Sequence, residues 1–463
     1  MSPQPTPTNS RSRCRHASLA RVTGWLATCL LLIACGQPAP DKVQLEAYSW
    51  WKRPSEQRAF ENVLRIYNAS QSRAVASNLA DESTADLARA TLTARLLAGA
   101  PPSTFQANAG ADALRWSVVD TNDAQTPSRI ADLSGLFQRN GLFDALPGPL
   151  LEALLAGNGA ARVPYAVPIN IHRLNVIYYN AEKLAAYGPG KSFLDLNVLC
   201  PADLETELDQ GKKLNLKIAV GTSDTFALTL FALENVLPAM AGAQRYDQLF
   251  RGHPSDDWEG PVRHALDCVQ FLSRSFLDDR DKGWAEALAQ VQNGDADFSV
   301  MGDWANGELK TALEHGEVGA VPFPGAEQIF VFTSDTFPLP VDAPDAADSE
   351  AFLDTIASTQ AQLEFSQEKG SIPARSDLSI EPLGPAAVAT QAAFASDDVT
   401  KVLATSGLFP PYYPAELNDK LAQMTEPGAT RDSVEDVMAL LRDAQPLLAR
   451  WQERLAQGPI SAP

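Results

Sequence analysis

The sequence has little of the chemistry on which most enzymes and metalloproteins depend. It contains only five histidines and five cysteines in 463 residues. No C-x-x-C, H-E-x-x-H or G-x-S-x-G pattern occurs in it. The segment Gly190-Lys191-Ser192 ends like a phosphate-binding loop, but Ala185 stands where that motif needs its first glycine. We therefore expect no metal site, no cofactor and no catalytic residue.

Positive charge is also scarce. The chain carries 37 lysines and arginines against 57 acidic residues, a formal net charge of −20. Residues 1–34 hold four arginines and no acid, so the chain that follows them has a net charge of −24. This charge argues against nucleic acid as a partner, and it is compatible with neutral or cationic ligands.

Long hydrophobic runs are absent, and the one short run lies near the start. Residues 25–34 are apolar and follow four arginines. This pattern is typical of an export signal, and it falls short of the ~20 apolar residues that span a bilayer. Leu32-Ile33-Ala34-Cys35 resembles a bacterial lipobox, so we expect a signal peptide over 1–34, a lipid on Cys35 and a tether over 35–42. A non-cleaved apolar N-terminus, or an ordinary signal peptide with an incidental Cys35, are the alternatives.

Two cysteines remain in the body of the protein, Cys200 and Cys268. An oxidising compartment outside the cytoplasm permits a disulfide between them. The sequence does not say whether their Cβ atoms are close enough, so two buried free thiols are the alternative.

Strand-like and helix-like segments alternate along the chain, which predicts an α/β architecture with mainly parallel sheets. Ser55 is a candidate N-cap for a helix that follows the first strand. Pro446 is expected to break the last long helix. The expected strands cover 43–47, 103–106, 162–169, 174–179, 216–220 and 298–301. Further helices are expected over 84–98, 226–237, 262–272 and 284–292, two helices within 349–368, and the last one over 431–456.

Two adjacent tryptophans, Trp50 and Trp51, directly follow the first strand, and Glu56 lies one turn further on. Ligands of α/β folds bind beyond the carboxyl ends of strands. Indole faces beside a carboxylate suit a sugar, which offers a C–H face for stacking and hydroxyls for hydrogen bonds. Core packing, with Glu56 as a solvated residue at a helix start, is the alternative.

Five segments in order resemble the carbohydrate-binding proteins of bacterial ABC importers, and the glucose/mannose-type branch most closely. The resemblance covers nearly all of residues 43–430. The segments are Tyr48-Ser-Trp-Trp51 with Glu56, Val167-Pro-Ile-Asn-Ile-His-Arg173 with Tyr179-Asn180, Met301-Gly-Asp-Trp-Ala-Asn-Gly-Glu308, Asp335-Thr-Phe337 and Lys369-Gly-Ser-Ile-Pro-Ala-Arg375.

The resemblance implies the two-lobe fold of periplasmic binding proteins, with a cleft between the lobes and several crossing segments. It places 43–165 and 330–370 in the N-terminal lobe, and 166–329 and 371–463 in the C-terminal lobe. It also implies roles for individual residues. Trp50 and Trp51 stack on or flank the sugar, and Glu56 and Asp303 accept hydrogen bonds from its hydroxyls. Trp304 is either a cleft aromatic or core, and Asn170 and His172 either contact sugar or shape the hinge.

Several departures from that branch change the expected ligand. Asn108 stands where a lysine is expected, and Thr225-Phe226 replaces a Trp-Gln pair. The segment after Phe337 lacks an expected lysine, and no histidine follows His315. Replacing hydroxyl partners changes specificity, so another mono- or oligosaccharide is expected rather than glucose. Tyr412 and Tyr413 are candidates for accommodating it.

The sequence therefore predicts an exported, lipid-anchored, monomeric protein that binds a neutral sugar and delivers it to the permease subunits of an ABC importer. It predicts neither catalysis nor nucleic-acid binding. Replacing Trp51 or Glu56 by alanine is expected to abolish binding and to leave the fold intact. A protein of the same fold that serves another solute or a sensor partner is the first alternative, and a glycan-cleaving enzyme is the second.

Overall fold

The computed structural model describes residues 43–71, 74–80, 85–117, 128–157, 159, 162–187, 192–278, 281–410 and 413–458. The expected signal peptide, the tether with Cys35, and Tyr412 lie outside the described residues. No helix within these ranges has the length and apolar character needed to cross a membrane.

The first sheet is parallel, as the sequence predicts. Its strands are β1 (Val43–Ser49), β2 (Ala74–Ala80) and β3 (Thr104–Phe105), in the order β2-β1-β3. Helices α1 (Pro54–Ser70) and α2 (Ala85–Leu97) connect them. The N-cap prediction for Ser55 is wrong, because α1 begins at Pro54, whose fixed φ suits the first helical position.

Two further sheets carry the strands that link the two halves of the molecule. One contains β4 (Ala107–Asn108), β7 (Ala166–Pro168) and β14 (Asp335–Pro338), in the order β4-β14-β7. The other contains β8 (Asn170–Arg173), β13 (Ile329–Thr333), β15 (Ile372–Pro373) and β16 (Thr400–Leu403), in the order β15-β8-β13-β16. The chain passes from one sheet to the other at Ile169 and again at Ser334.

The fourth sheet lies in the second half of the chain. It contains β9 (Val176–Asn180), β10 (Ile218–Ala219), β11 (Phe298–Met301) and β12 (Val318–Pro322), in the order β10-β11-β9-β12. A short hairpin pairs β5 (Leu155–Ala156) with β6 (Val163–Pro164). The prediction of mainly parallel sheets is wrong. In the described part of the chain seven of the eleven strand pairings are antiparallel. Strands such as β9 and β11 pair across long stretches of sequence, so the local alternation of strands and helices does not determine their direction.

Helices pack on the sheets and contribute many of the buried apolar side chains. In the first half they are α3 (Ala111–Leu114), α4 (Ser134–Arg139), α5 (Leu142–Ala145), α6 (Gly148–Leu154), α7 (Ala181–Ala186), α8 (Leu196–Leu199) and α9 (Leu204–Asp209). Next come α10 (Phe226–Thr229), a π-helical segment (Leu230–Val236), α11 (Leu237–Ala241), α12 (Ala243–Phe250), α13 (Glu259–Ser273), α14 (Trp284–Gln292), α15 (Ala305–Glu308) and α16 (Lys310–Glu314). The last are α17 (Ala346–Ile356), α18 (Thr359–Lys369), α19 (Pro385–Ala395), α20 (Tyr413–Met424) and α21 (Arg431–Gln457), with 3₁₀ turns at Glu381–Leu383 and Thr405–Gly407.

The break expected at Pro446 does not occur, because α21 is one helix from Arg431 to Gln457. Buried side chains on both sides of the proline, including Leu441 and Leu448, hold the helix against its neighbours. The amide of Gln445 also donates to the carbonyl of Leu441 at 2.8 Å. Tertiary packing here outweighs the lost backbone hydrogen bond.

The two body cysteines form a disulfide between Cys200 and Cys268, with their Cα atoms 5.3 Å apart. Cys200 lies just after α8, and Cys268 is fully buried in α13. The disulfide therefore fastens a peripheral helix to a central one. The sequence left open a disulfide or two buried free thiols, and the structure has the disulfide.

Candidate functional site

Trp51 and Glu56 belong to the packing between α1 and α18. The Trp51 side chain is 1 % exposed, and its ring lies 5.1 Å from that of Phe60 and 5.2 Å from that of Phe365. The carboxylate of Glu56 accepts a hydrogen bond from Nζ of Lys369 at 2.6 Å. This corrects the expected role of Trp51 as a stacking residue, since no face of its ring is open to a ligand.

Each carboxylate oxygen of Glu56 has one partner within the protein. Oε1 is paired with Lys369, and Oε2 accepts the backbone N–H of Arg53 at 3.3 Å. The ammonium of Lys369 also lies 5.6 Å from the centre of the Trp51 ring. The role of Glu56 as a sugar acceptor stays a prediction, because each carboxylate oxygen can accept a second hydrogen bond.

Asp303 and His172 form a second buried pair. Oδ1 of Asp303 accepts a hydrogen bond from Nδ1 of His172, and Oδ2 accepts the backbone N–H of Arg173 at 2.9 Å. The backbone N–H of Asp303 donates in turn to the carbonyl of Arg173 at 2.9 Å. Asp303 is 3 % exposed and His172 2 %. This burial argues against the expected sugar contact by Asp303.

Asn170, Asp335 and Gln106 extend this pair into a network. Oδ1 of Asn170 accepts the N–H of Asp335 at 2.9 Å, and Nδ2 of Asn170 donates to Oδ2 of Asp335 at 3.0 Å. Nε2 of His172 lies 3.2 Å from the same Oδ2. Nε2 of Gln106 donates to Oδ1 of Asp335 at 2.7 Å. We name these five side chains, Gln106, Asn170, His172, Asp303 and Asp335, the crossing network.

The electrostatics of the crossing network favour a protonated histidine between two carboxylates. Burial alone would lower the pKa of His172, but the charges and hydrogen bonds of Asp303 and Asp335 raise it. Burial alone would raise the pKa of Asp335, but His172, Lys369 and Gln106 lower it to about 2. Asn170 and His172 are fully buried in this network, which fits the hinge role rather than direct sugar contact.

Trp50 and Asn108 are half-buried at the carboxyl ends of β1 and β4. The guanidinium of Arg89 lies 4.4 Å from the centre of the Trp50 ring, which suits a cation–π contact. The backbone N–H of Asn108 donates to Oδ2 of Asp112 at 3.0 Å. Burial would raise the pKa of Asp112, but Arg89 and Arg115 lower it. The contacts of Arg89 with Trp50 and of Asp112 with Arg89 and Asn108 therefore bring an indole, an amide and ionised groups together.

Trp304 is half-buried beside Phe226, and their ring centres are 6.3 Å apart. The Trp304 indole also meets the His172 ring edge-on at 5.3 Å. Its six-membered ring covers Gly302, where a Cβ atom would lie only 2.1 Å from the indole. The glycine of the Met-Gly-Asp-Trp segment is thus needed for the position of Trp304.

A further contact joins the residue before α1 to the first turn of α14. The guanidinium of Arg53 lies 5.4 Å from the centre of the Trp284 ring, and its Nη1 is 3.5 Å from Oε1 of Glu286. Trp284 and Glu286 belong to the first turn of α14, and Arg53 precedes α1. This contact joins the first sheet's helix to a helix that packs on the fourth sheet.

Other expected features lie away from this region. Tyr413 is 5 % exposed and packs edge-on against Phe409 at 4.9 Å, so it is part of the core. A groove of about 1380 Å³ runs between α6, α12 and β16, and none of the predicted site residues lines it. Among the described residues no group of three or more His, Cys, Asp or Glu side chains is arranged to hold a metal ion.

A family model described as bacterial extracellular solute-binding protein matches residues 80–395. The chain belongs to this family. The match includes the second, third, fourth and fifth of the segments that carry the resemblance. The glucose/mannose branch within the family is not confirmed and stays a prediction.

Individual relatives agree with the family and extend over most of this solute-binding protein. It is 27 % identical over 420 residues to an uncharacterised ABC transporter extracellular-binding protein of Pyrococcus horikoshii, covering 88 % of this chain and 90 % of the relative. It is 27 % identical over 354 residues to a probable sugar-binding periplasmic protein of Mesorhizobium japonicum, covering 73 % and 78 %. A solved chitin oligosaccharide binding protein has the same fold, with a TM-score of 0.68 and 18 % identity over 88 % of this chain and 100 % of that one.

The structure adds site residues that the sequence reasoning missed. Arg89 contacts the Trp50 ring, and Asp112 accepts the backbone N–H of Asn108. Trp284 contacts the guanidinium of Arg53. A signal existed for Arg89, since it stands in the first turns of a helix that follows a parallel strand, at the ligand edge of the sheet. No local pattern distinguishes Asp112 or Trp284 from ordinary helix residues.

Proposed function

We propose that this solute-binding protein binds a mono- or oligosaccharide between two lobes, with Trp50 on one side and Trp304 on the other. The observation that supports it most directly is that Trp50 and Trp304 are both half-buried and both contact the crossing network, Trp50 through its backbone N–H and Trp304 through its ring. A partly exposed aromatic ring offers a face on which the C–H surface of a sugar can stack. The names of several relatives, which include sugar-binding periplasmic proteins, point the same way.

Hydroxyl recognition would come from polar groups around the two indoles. Asn108 offers an amide and Arg89 a guanidinium on the Trp50 side. Phe226 adds an aromatic edge on the Trp304 side. Hydrogen bonds to ionised groups are stronger than neutral ones and would fix the orientation of the sugar. This set of partners differs from that expected for glucose, so we propose another neutral sugar.

We propose that the lobes are 43–165 with 330–370, and 166–329 with 371–463. The sheet changes at Ile169 and Ser334 support crossings within five residues of these boundaries. Closure of the lobes around the sugar would present the loaded protein to an ABC permease. We propose that the protein acts by binding alone, as a monomer, without catalysis.

A thermal-shift screen tests the proposal. The probes are glucose, galactose, xylose, maltose, raffinose and chitobiose, with spermidine and glutamate as controls. Ligand at about 100 Kd adds about 2.7 kcal/mol of stability. For a chain of this length, with an unfolding entropy of roughly 0.9 kcal/mol per kelvin, the midpoint should rise by about 3 °C. A shift with the controls and none with sugars would contradict a sugar ligand.

Three variants then locate the site. Trp50→Leu and Trp304→Leu are expected to abolish the shift given by the stabilising sugar, because each removes a stacking face. Trp258→Leu, at the start of α13, removes an indole elsewhere and should retain the shift. Retention of the shift in both of the first two variants would exclude this site.

We also propose that residues 1–34 are a signal peptide and that Cys35 carries a lipid that holds the protein on a membrane. Basic residues followed by a short apolar run and a lipobox-like Leu-Ile-Ala-Cys support this. In a bacterial host, the full chain is expected to incorporate labelled palmitate and to fractionate with membranes. Cys35→Ser should lose both properties and the matched Cys29→Ser neither. An unlabelled wild-type chain would overturn the proposal.

A further inference from the structure

The crossing network continues beyond its five side chains to both tryptophans of the proposed site. At one end, the backbone N–H of Trp50 donates to Oε1 of Gln106 at 3.3 Å. Gln106 then donates through Nε2 to Oδ1 of Asp335 at 2.7 Å. Gln106 is 1 % exposed, so water does not compete for either bond. The amide of Gln106 therefore fixes the backbone of Trp50 relative to β14.

At the other end, His172 connects Asp335 with the Trp304 side. Its Nδ1 donates to Asp303, whose backbone leads directly into Trp304, and its ring edge contacts the Trp304 indole. Its Nε2 lies 3.2 Å from Oδ2 of Asp335. One side chain thus contacts both the residue before Trp304 and the indole itself.

Asn170 keeps the shared carboxylate of Asp335 in place. Its Nδ2 lies 3.0 Å from Oδ2 of Asp335, 3.2 Å from Oγ of Ser371 and 2.9 Å from Nε2 of His172. The two N–H bonds of the Asn170 amide can donate to Oδ2 of Asp335 and to Oγ of Ser371. Oδ2 of Asp335 can accept a second hydrogen bond from His172. The orientation of Asp335 is therefore fixed by neighbours on β8 and β15.

The members of this chain of contacts come from different sheets. Gln106 and Asp335 lie at the sheet of β4, β14 and β7, while His172 lies on β8 and Asp303 follows β11 in the fourth sheet. Buried polar networks with every member paired have few alternative arrangements, so a displacement at one end is passed to the other.

We propose that Gln106, Asp335 and His172 are positioning residues that couple Trp50 to Trp304 through one buried chain of hydrogen bonds. The inference rests on the proposed function, because it takes the two tryptophans as the two sides of the sugar site. The coupling itself exists without ligand, which allows it to be tested separately.

Fluorine NMR of sugar-free protein labelled with 5-fluorotryptophan tests the coupling. Trp50→Phe and Trp304→Phe assign the two resonances. Gln106→Met keeps the volume and removes both hydrogen bonds, and it is expected to shift the Trp304 resonance although Gln106 does not touch that ring. Gln362→Met is the matched control, because Gln362 is equally buried and hydrogen-bonded to Pro168 and Arg375 but lies outside the chain.

The outcomes separate the coupling from the sugar proposal. An unmoved Trp304 resonance in folded Gln106→Met protein, or an equal shift in Gln362→Met, overturns the coupling. If Trp304 moves but no sugar stabilises the wild type, the coupling stands and the proposed function fails. If Gln106→Met does not fold, the Trp304 resonance is measured in Asp335→Asn instead, and an unmoved resonance overturns the coupling. With the sugar that stabilises the wild type, Gln106→Met should weaken affinity by about fivefold, the equivalent of one lost hydrogen bond.

Discussion

Replacing Lys369 by methionine tests whether Glu56 belongs to the packing of α1 against α18 or to the sugar site. Nζ of Lys369 lies 2.6 Å from Oε1 of Glu56, and the two side chains are 4 % and 13 % exposed. Methionine retains most of the apolar stem of lysine, but it leaves the carboxylate without its cation.

The size of the effect follows from burial. Removing one partner of a buried ion pair costs about 3–5 kcal/mol, because the other charge stays buried. Glu56 keeps the N–H of Arg53, so we expect the lower end, about 3 kcal/mol. In a chain of this length that loss lowers the melting temperature by about 3–4 °C. The double variant Glu56→Gln/Lys369→Met removes both charges and should lose less than the sum of the single variants.

Calorimetry of the wild type, the two single variants and the double variant measures this coupling. Lys420→Met is the matched control, since Lys420 lies 3.5 Å from Asp436 in a pair whose side chains are 33 % and 58 % exposed. That control should lose less than about 1 kcal/mol. Glu56→Gln should also keep the sugar-induced thermal shift. If it instead melted like the wild type and lost that shift, Glu56 would be a sugar ligand and our reasoning would be wrong.

Three further predictions follow from buried contacts. Trp51→Ala should lose about 3–5 kcal/mol in calorimetry, because it empties a ring cluster, and an unchanged melting temperature would contradict its core position. Replacing Cys200 and Cys268 together by alanine should lose about 4 kcal/mol in denaturant titrations, from the 68-residue separation, and equal stability would contradict a structural disulfide. The lowered pKa of Asp335 contributes on the order of 2 kcal/mol of folding stability above pH 4, and this contribution is lost toward pH 2. The raised pKa of His172 contributes stability below pH 6.5, and this contribution is lost as the pH rises through the raised value. Melting temperature should therefore peak between these limits, and a flat profile from pH 2 to 9 would refute the network's charges.

Many helices and strands could be predicted, because the apolar spacing that indicates them lies within each segment of the sequence. The helix at Trp284–Gln292 and the strand at Phe298–Met301 have the bounds that the sequence indicates. Apolar spacing within each segment, and the glycine at 294 with φ 77°, determine where they end. Strand direction could not be predicted in this way, since it depends on which distant strands pair.

The site was harder to predict because its decisive contacts are remote in sequence. Glu56 and Lys369 are 313 residues apart, and Asn170 and Asp335 are 165 apart. A tryptophan beside a carboxylate has the same local pattern whether it faces a sugar or packs in a core. The interpretation of Trp51 as a sugar contact therefore had no local evidence against it, and its correction depends on distant partners such as Phe365 in α18.

The residues that hold the proposed site and the residues proposed to contact the sugar lie in different surroundings, and this difference explains which family residues this chain keeps and which it replaces. All five family segments are present, yet the lysine, the Trp-Gln pair and the late histidine expected of the glucose-type branch are replaced. The segment residues lie mainly in the buried crossing network and in the α1–α18 contact, where a change would disrupt packing and charge pairing. The replaced positions include Asn108 and Phe226, which are half-buried beside the two tryptophans of the proposed site. Specificity can therefore change at these half-buried positions while the framework that holds Trp50 and Trp304 stays intact, because neither Asn108 nor Phe226 supplies a side chain to the crossing network.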